Sequence, residues 1–328
     1  ISAWIARRFS ADVDPERGVL PLNGTREGLF NAALALCREG KRGHPPAVLI
    51  PNPFYQCYAA AALAVGAEPV FLPATRESGF LPDFGALDRG LLDRTELVYL
   101  CSPSNPQGAV ASAAYWRELL TLAERHDFRV LADECYSEIY RTNAPFGALE
   151  VCRTAGSDPE RLIAFNSLSK RSSVPGLRSG FAVGGPRSIA AMRQLRSYGG
   201  APLPLPLQYA SAALWRDEDH VTTSREDYRK KRALADTILG ELPHYVAPVA
   251  GFFVWLEVGD GETVARRLYS QAGIRVLPGA YLARGVDGQA NPGAKYVRIA
   301  LVPGIDEVSR GLAIIRDMLG EGTVKEDG

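Results

Sequence analysis

Along most of the chain, short apolar runs alternate with stretches whose apolar residues recur at three- and four-residue spacing. Ala47 to Ile50, Pro69 to Leu72, Leu97 to Cys101, Val130 to Asp133, Leu162 to Asn166 and Gly180 to Val183 read as strands. Several are almost continuously apolar, as a strand covered on both faces requires. Between them Arg26 to Glu39, Gln56 to Val65, Ala113 to His126 and Ser188 to Tyr198 read as helices, and Ile1 to Phe9 reads as another. This alternation predicts an α/β fold, a mostly parallel sheet with helices on both sides. After about Pro206 the pattern changes. A long amphipathic stretch through Ser224 to Leu242 precedes a strand (Phe252 to Val258), a helix (Glu262 to Gln271), a strand (Tyr296 to Val302) and a last helix (Asp306 to Leu319). We expect a large domain over residues 1–206, a smaller α+β domain over 207–328, and a frayed tail from Gly320.

Composition narrows the function. A chain of 328 residues exceeds one small core, and 46% hydrophobic with 23% charged residues fits an ordinary soluble protein. A net charge of +0 argues against nucleic acid as a partner. No apolar run approaches the ~20 residues that span a bilayer, so no membrane is expected. The cysteines (Cys37, Cys57, Cys101, Cys135, Cys152) form no C-x-x-C pair and sit among apolar or small neighbours. Buried free thiols in a reducing cytoplasm are expected. His44, His126, His220 and His244 are scattered, so no metal is expected. No G-x-S-x-G or P-loop pattern occurs. Lysine is rare beside arginine: Lys41, Lys170, Lys230, Lys231, Lys295 and Lys325 are all there are.

Ligands of open α/β sheets bind beyond the carboxyl ends of the strands. Polar residues follow three apolar runs there. In Asn166-Ser-Leu-Ser-Lys170, a lysine stands among hydroxyls, with Arg178 eight residues later. Such an amine can form a Schiff base if burial or nearby cations lower its pKa, and Ser167, Ser169 and Arg178 suit a phosphate. Ala132-Asp-Glu-Cys-Tyr136 ends a strand on a carboxylate suited to a pyridinium nitrogen, and Tyr136 could meet a phenolate oxygen. Ser102-Pro-Ser-Asn-Pro-Gln-Gly108 holds Asn105 between prolines as a second donor to that oxygen. Asn23-Gly24-Thr25-Arg26 opens a helix whose free amides suit a phosphate. Tyr55, after a rigid Asn-Pro turn, could stack on a flat ring. Arg298 stands between apolar strand residues and needs an anion. Taken singly, each has an ordinary reading: a solvated basic turn, a helix cap, a plain turn, core aromatics (Phe54, Tyr55, Tyr58), an internal ion pair.

Their order along the chain resembles fold-type I aminotransferases of the aspartate aminotransferase superfamily, from about Leu20 to Leu319. The segments Leu20-Pro-Leu-Asn-Gly-Thr-Arg-Glu27, Asn52-Pro-Phe-Tyr55, Val276-Leu-Pro-Gly279 and Asn291-Pro-Gly-Ala-Lys-Tyr-Val-Arg298 are similar to succinyldiaminopimelate aminotransferases of lysine biosynthesis. The resemblance implies a pyridoxal 5'-phosphate enzyme of that fold, working on amino and 2-oxo acids as a homodimer. By it, Lys170 carries the cofactor and Asp133 pairs with its ring nitrogen. Asn105 and Tyr136 bind the phenolate oxygen, and Tyr55 stacks on the ring. Ser167, Ser169, Arg178 and the turn Gly24, Thr25, Arg26 hold the phosphate. Arg298, with Asn105, holds the substrate. The family begins several dozen residues earlier, so an N-terminal arm is expected to be missing here. Other readings are another aminotransferase (aspartate, alanine or aromatic), a lyase or decarboxylase on the same fold, and a non-catalytic sensing module. A clamped carboxylate at Arg298 counts against decarboxylation.

Overall fold

A computed structural model of the chain describes residues 1–323 other than 42 and 287, so the end of the expected frayed tail lies outside the described residues. The first unit contains α1 (Ser2–Phe9), β1 (Val19–Leu22), α2 (Thr25–Leu36), β2 (Ala47–Asn52), α3 (Gln56–Ala64) and β3 (Glu68–Pro73). It continues through α4 (Arg89–Arg94), β4 (Thr95–Cys101), α5 (Ala113–His126), β5 (Arg129–Asp133), α6 (Ala148–Ala155), β6 (Leu162–Ser167), α7 (Leu168–Arg171), β7 (Gly180–Gly184) and α8 (Pro186–Gly199). The strands form one sheet in the order β1-β7-β6-β5-β4-β2-β3. Five of them, β2 to β6, run parallel, and β7 is antiparallel to both its neighbours.

Burial on both faces explains the unbroken apolar runs. Every residue of β4 is buried; Val98 and Leu100 join the core with Trp4 and Trp116, whereas Leu97 and Tyr99 join the core with Leu29 and Phe165. Removing each such side chain from water contributes roughly 1.5–3 kcal/mol, so sheet and flanking helices stand or fall together.

Several elements of this unit were not legible as runs, the short α4 and α7 among them. The edge strand β1 is only Val-Leu-Pro-Leu, and its Pro21 lacks the donor a central strand needs. Short α6 starts at Gly147 after an irregular loop. The helix α9 (Leu205–Arg216) is preceded by Pro204 and carries Pro206 in its first turn, which reads as loop. Its Trp215 packs on Trp4 and Phe181, beyond the divide expected at residue 206 but within the first unit's core.

The remainder comprises α10 (Asp219–Leu239), β8 (Phe253–Glu257), α11 (Gly261–Ala272), β9 (Leu277–Pro278), β10 (Tyr296–Ala300) and α12 (Ile305–Thr323). A three-stranded antiparallel sheet, β8-β10-β9, closes with these helices around Leu239, Val254, Leu268, Ile299 and Leu312. Arg232 on α10 is fully buried and donates to Gly251 O at 2.6 Å and Tyr140 O at 2.7 Å. It thereby ties the second unit to the segment that follows Asp133. Among the described residues no helix is long and apolar enough to cross a membrane.

Candidate active site

The pairing of β4 with β5 puts Cys101 beside Asp133, and that of β5 with β6 puts Asp133 beside Phe165. Three carboxyl ends therefore open side by side. The loop carrying Asn105, the segment Asp133–Tyr136 and the turn into α7 with Lys170 meet above them. They line a cleft of about 350 Å³ that also takes Thr25 and Arg26 from the start of α2, Tyr55 from the start of α3, and Arg298 from β10. Ser167, Ser169 and Arg178 complete it. Every residue singled out in the sequence faces this space except Gly24, which lies behind Arg178. A groove of about 440 Å³ in the second unit, lined by Ile274, Val276, Leu301 and α12, carries none of them.

Asp133 is 6% exposed. Burial pushes its carboxyl upward, against the pull of two donors: Tyr58 Oη at 2.7 Å from Oδ2 and the Cys135 amide at 3.2 Å from Oδ1. Both oxygens are thus held from behind, which favours the ionised form. Tyr58 is itself fixed by stacking on Tyr99, with ring centroids 4.5 Å apart and planes 12° apart. Sequence reasoning left Tyr58 among possible core aromatics. Its three-residue spacing from Tyr55, the N-cap of the same helix, was the available signal.

Lys170 is half-buried, and its amine sits 5.2 Å from the centre of the Phe252 ring. Burial lowers its pKa first, and the Arg298 charge lowers it further, while the Cys135 thiol acts the other way. Arg298 lies 4.2 Å from the centre of the Phe253 ring and donates through Nη1 to Asn105 Oδ1 at 2.9 Å. Its Nε is buried and, among the described residues, has no hydrogen-bond partner. A buried guanidinium short of acceptors calls for an anion. With its oxygen engaged by Arg298, Asn105 keeps its amide hydrogens for another acceptor.

The phosphate-type pole is equally constrained. Arg178 adopts a left-handed backbone (φ 51°) and donates to Pro175 O at 3.0 Å and Asn23 O at 3.4 Å. Gly24 has φ +85°, and a Cβ there would come within 2.3 Å of Arg178 Nη2. Only glycine fits both the turn and the close approach. Ser169 lines this pole. Ser167 does too, but its hydroxyl donates to Ser179 O and accepts from the Ser169 amide, capping α7. Its side chain is therefore spent on the turn that carries Lys170.

A second polar cluster lies close by. His220 bonds Asp217 Oδ2 at 2.7 Å and Ser172 Oγ at 2.8 Å. The set has the makings of a nucleophilic relay, but Ser172 is buried and also accepts from Arg171. It acts as a latch between α7 and the start of α10.

The residues present fit pyridoxal phosphate: a buried carboxylate held for a ring nitrogen, a glycine cradle beside an arginine, and an orphaned Arg298 Nε. The family of aminotransferases class I and II matches residues 1–309. An LL-diaminopimelate aminotransferase from Dehalococcoides mccartyi is 31% identical over 319 residues, 95% of this chain and 78% of that protein. The crystal structure of an aminotransferase from Neisseria meningitidis superposes with a TM-score of 0.91 at 39% identity, covering 97% of this chain and 81% of that one. A probable N-succinyldiaminopimelate aminotransferase from Thermus thermophilus gives 0.85 at 25% identity, covering 96% and 82%.

Proposed function

The chain belongs to the class I and II aminotransferases, a pyridoxal-phosphate-dependent family, and from that premise we propose its substrate and the role of each residue in the cleft. The amino donor is glutamate and the acceptor is a long-chain 2-oxo acid, N-succinyl-2-amino-6-oxopimelate. The pair corresponds to an N-succinyl-LL-2,6-diaminopimelate:2-oxoglutarate aminotransferase of lysine biosynthesis. Unsuccinylated LL-diaminopimelate is the second reading, favoured by the Dehalococcoides relative.

The observation that carries the aminotransferase chemistry is the meeting of Lys170, Asp133, Asn105 and Arg298 in one cleft. Lys170 would hold the cofactor, Asp133 its ring nitrogen, and Asn105 and Tyr136 its phenolate oxygen. Tyr55 would cover the ring. Thr25 and Arg26 amides, Ser169 and Arg178 would hold the phosphate. When bound, the cofactor supplies an electron sink for charge developing at the substrate α-carbon. Arg298 grips the substrate carboxylate and turns the Cα–H bond toward Lys170. The Lys170 amine, whose pKa burial and Arg298 lower, takes that proton as base and passes it on as acid. Two half-reactions with one exchanging site give ping-pong kinetics.

A second copy of the chain is part of the proposal. Tyr198, Leu205 and Tyr209 are 85%, 65% and 76% exposed on α8 and α9, and the segment between those helices meets the chain just before α2, where Asn23 Nδ2 donates to Ala201 O. Such apolar exposure suits a symmetric partner.

The test is a panel of amino donors and 2-oxo acceptors given to the holoprotein, with the visible band of the bound cofactor followed. Glutamate should discharge the band and the proposed acceptor should restore it. A band indifferent to every amino donor would leave a sensing module as the better reading. Restoration by pyruvate or oxaloacetate alone would refute the diaminopimelate assignment.

A further inference from the structure

Lys170 owes its place to its backbone. Among the described residues no hydrogen bond holds its amine, and the Phe252 ring, 5.2 Å away, is a face to lie against rather than a fixed partner. The backbone concerned is α7, a single turn of four residues. One turn cannot hold itself in water, because nucleating a helix costs more than its first hydrogen bonds return. Its first end is secured by the Ser167 cap and by the Leu168 amide, which donates to Ser179 O. Beyond its last residue the chain passes through Ser173, with left-handed backbone (φ 54°), and a mostly exposed segment to Arg178. The second end is secured by Arg171, which is 3% exposed. Its guanidinium carbon lies 5.6 Å from the ring centre of Trp4 and 5.1 Å from that of Trp215. Nη1 donates to Leu214 O at 2.8 Å and to Ser172 Oγ at 3.2 Å; Nη2 donates to Asp217 O at 3.2 Å and to Glu218 Oε1 at 2.7 Å. Leu214 and Asp217 stand at the C-terminal end of α9, where carbonyls lack partners within the helix and a cation is favoured. Burial works against the Arg171 charge and Glu218 supports it. A cation this deep is costly unless paired, and the chemistry proposed above makes no use of it.

We propose that Arg171 is a positioning residue for the reaction: it bolts the second end of α7 to the C-terminal end of α9 and so sets where the Lys170 amine stands relative to Asp133 and Arg298. The inference rests on the aminotransferase reading, in which that amine moves the α-proton. Proton transfer needs the amine within hydrogen-bond reach of its target, and a displacement of about 1 Å can cost ~100-fold in rate. Adjacent side chains thus do opposite work. Lys170 faces the cleft, and Arg171 is sunk beside Trp4 and Trp215 in the core of the first unit. The contact of His220 with Ser172 is a second, lighter fastening of the same end. Loss of the bolt falls on kcat rather than KM, because Arg298, which grips the substrate, stands on β10.

The holoprotein tests this by its spectrum as well as its rate. The pH at which the visible band of the bound cofactor changes form reports the surroundings of the nitrogen that carries it. Burial and Arg298 lower the pKa of that nitrogen, so a turn relaxed toward solvent should move the midpoint upward. Arg171→Lys keeps the charge and loses the planar fork. It should lower kcat about tenfold, leave KM for the amino donor within about twofold, and raise the midpoint by about half a pH unit. Glu218→Gln changes a half-exposed partner and leaves the bonds to the α9 carbonyls. It should lower kcat about threefold and also raise the midpoint. Removing a negative charge would by itself lower the midpoint, so an upward shift there marks displacement. An Arg171→Lys protein that melts earlier yet keeps the wild-type kcat and midpoint overturns the proposal, and Arg171 then only fastens α1 to α9. So does a rise in KM as large as the fall in kcat. If Arg171→Lys does not fold, Glu218→Gln decides: a lower kcat with a raised midpoint supports the proposal, and wild-type values of both overturn it. A wild-type band that ignores every amino donor refutes the aminotransferase reading instead, and the midpoint shift still reads whether Arg171 places Lys170.

Discussion

Tyr58 donates to Asp133 across 2.7 Å from a ring that is only 1% exposed. A hydrogen bond to a buried charge contributes about 1.5–3 kcal/mol. The phenol therefore holds down a carboxyl that burial pushes up. Tyr58→Phe keeps the stack on Tyr99 and removes only the hydroxyl. Cofactor affinity of the apoprotein should fall about tenfold, equivalent to ~1.4 kcal/mol. The loss should grow as pH falls, because the unassisted carboxyl takes up a proton sooner. Titrating the apoprotein with pyridoxal phosphate at pH 6 and pH 8 checks it; equal losses at both would show that Tyr58 only fills space.

Lys170→Ala should abolish the visible band of the covalently held cofactor and all turnover. The side chain is half-buried, and among the described residues no hydrogen bond depends on it in the way that α7 depends on Ser167. The melting temperature should therefore move by only a few degrees. Absorbance and a thermal melt suffice, and retention of band and turnover would remove the central residue.

Arg298→Ala should raise KM for every amino acid by roughly a hundredfold, the ~2–3 kcal/mol of a charge-assisted bidentate contact. Cofactor affinity should change much less, because Asn105 keeps its amide. Steady-state kinetics beside a cofactor titration separate the two. Equal losses would make Arg298 a structural support for the Asn105 loop.

Glu134 gives a pH prediction. Burial raises its carboxyl to about 7, against the hydrogen bonds from the Ala148 amide and Asn166. A group whose folded pKa is raised binds its proton more tightly in the folded state. Its stabilisation is complete below the unfolded value, 4.5, and is lost as pH climbs toward 7. Within that window stability should decline by up to about 1.4 kcal/mol per pH unit from this group alone. Glu134→Gln should flatten the decline. Denaturant melts at pH 5 and pH 8 measure it, and a variant with the same pH slope as wild type would rule Glu134 out.

The sequence made the strand ends legible because apolar runs stop where the chain turns polar: Asp133 and Ser167 close their strands, and the loop with Asn105 begins right after Cys101. Covered strands and amphipathic helices such as α5 announce themselves through burial. Proline and glycine hid α9 and β1. Contacts between distant positions could not be read at all. Arg298 and Asn105 are 193 residues apart, and only the docking of β8-β10 against the first unit brings them together. Ser167 shows the converse difficulty. Its residue type suits a phosphate, yet its local geometry commits the hydroxyl to a cap. Tyr58 was visible but ambiguous, since a buried tyrosine on a helix looks the same whether it packs or holds a carboxylate.

The antiparallel strand β7 has one more consequence. Lys170 and Arg178 lie on a single loop pinned shut at its base, where Ser167 pairs with Gly180 and the Leu168 amide donates to Ser179 O at 3.1 Å. The loop works as a gauge block between the reacting amine and the phosphate pole. Its side chains can be exchanged one at a time while its count of residues cannot, because adding or removing one would move one pole relative to the other. Descendants of this sequence can therefore drift in spelling across the segment but not in length.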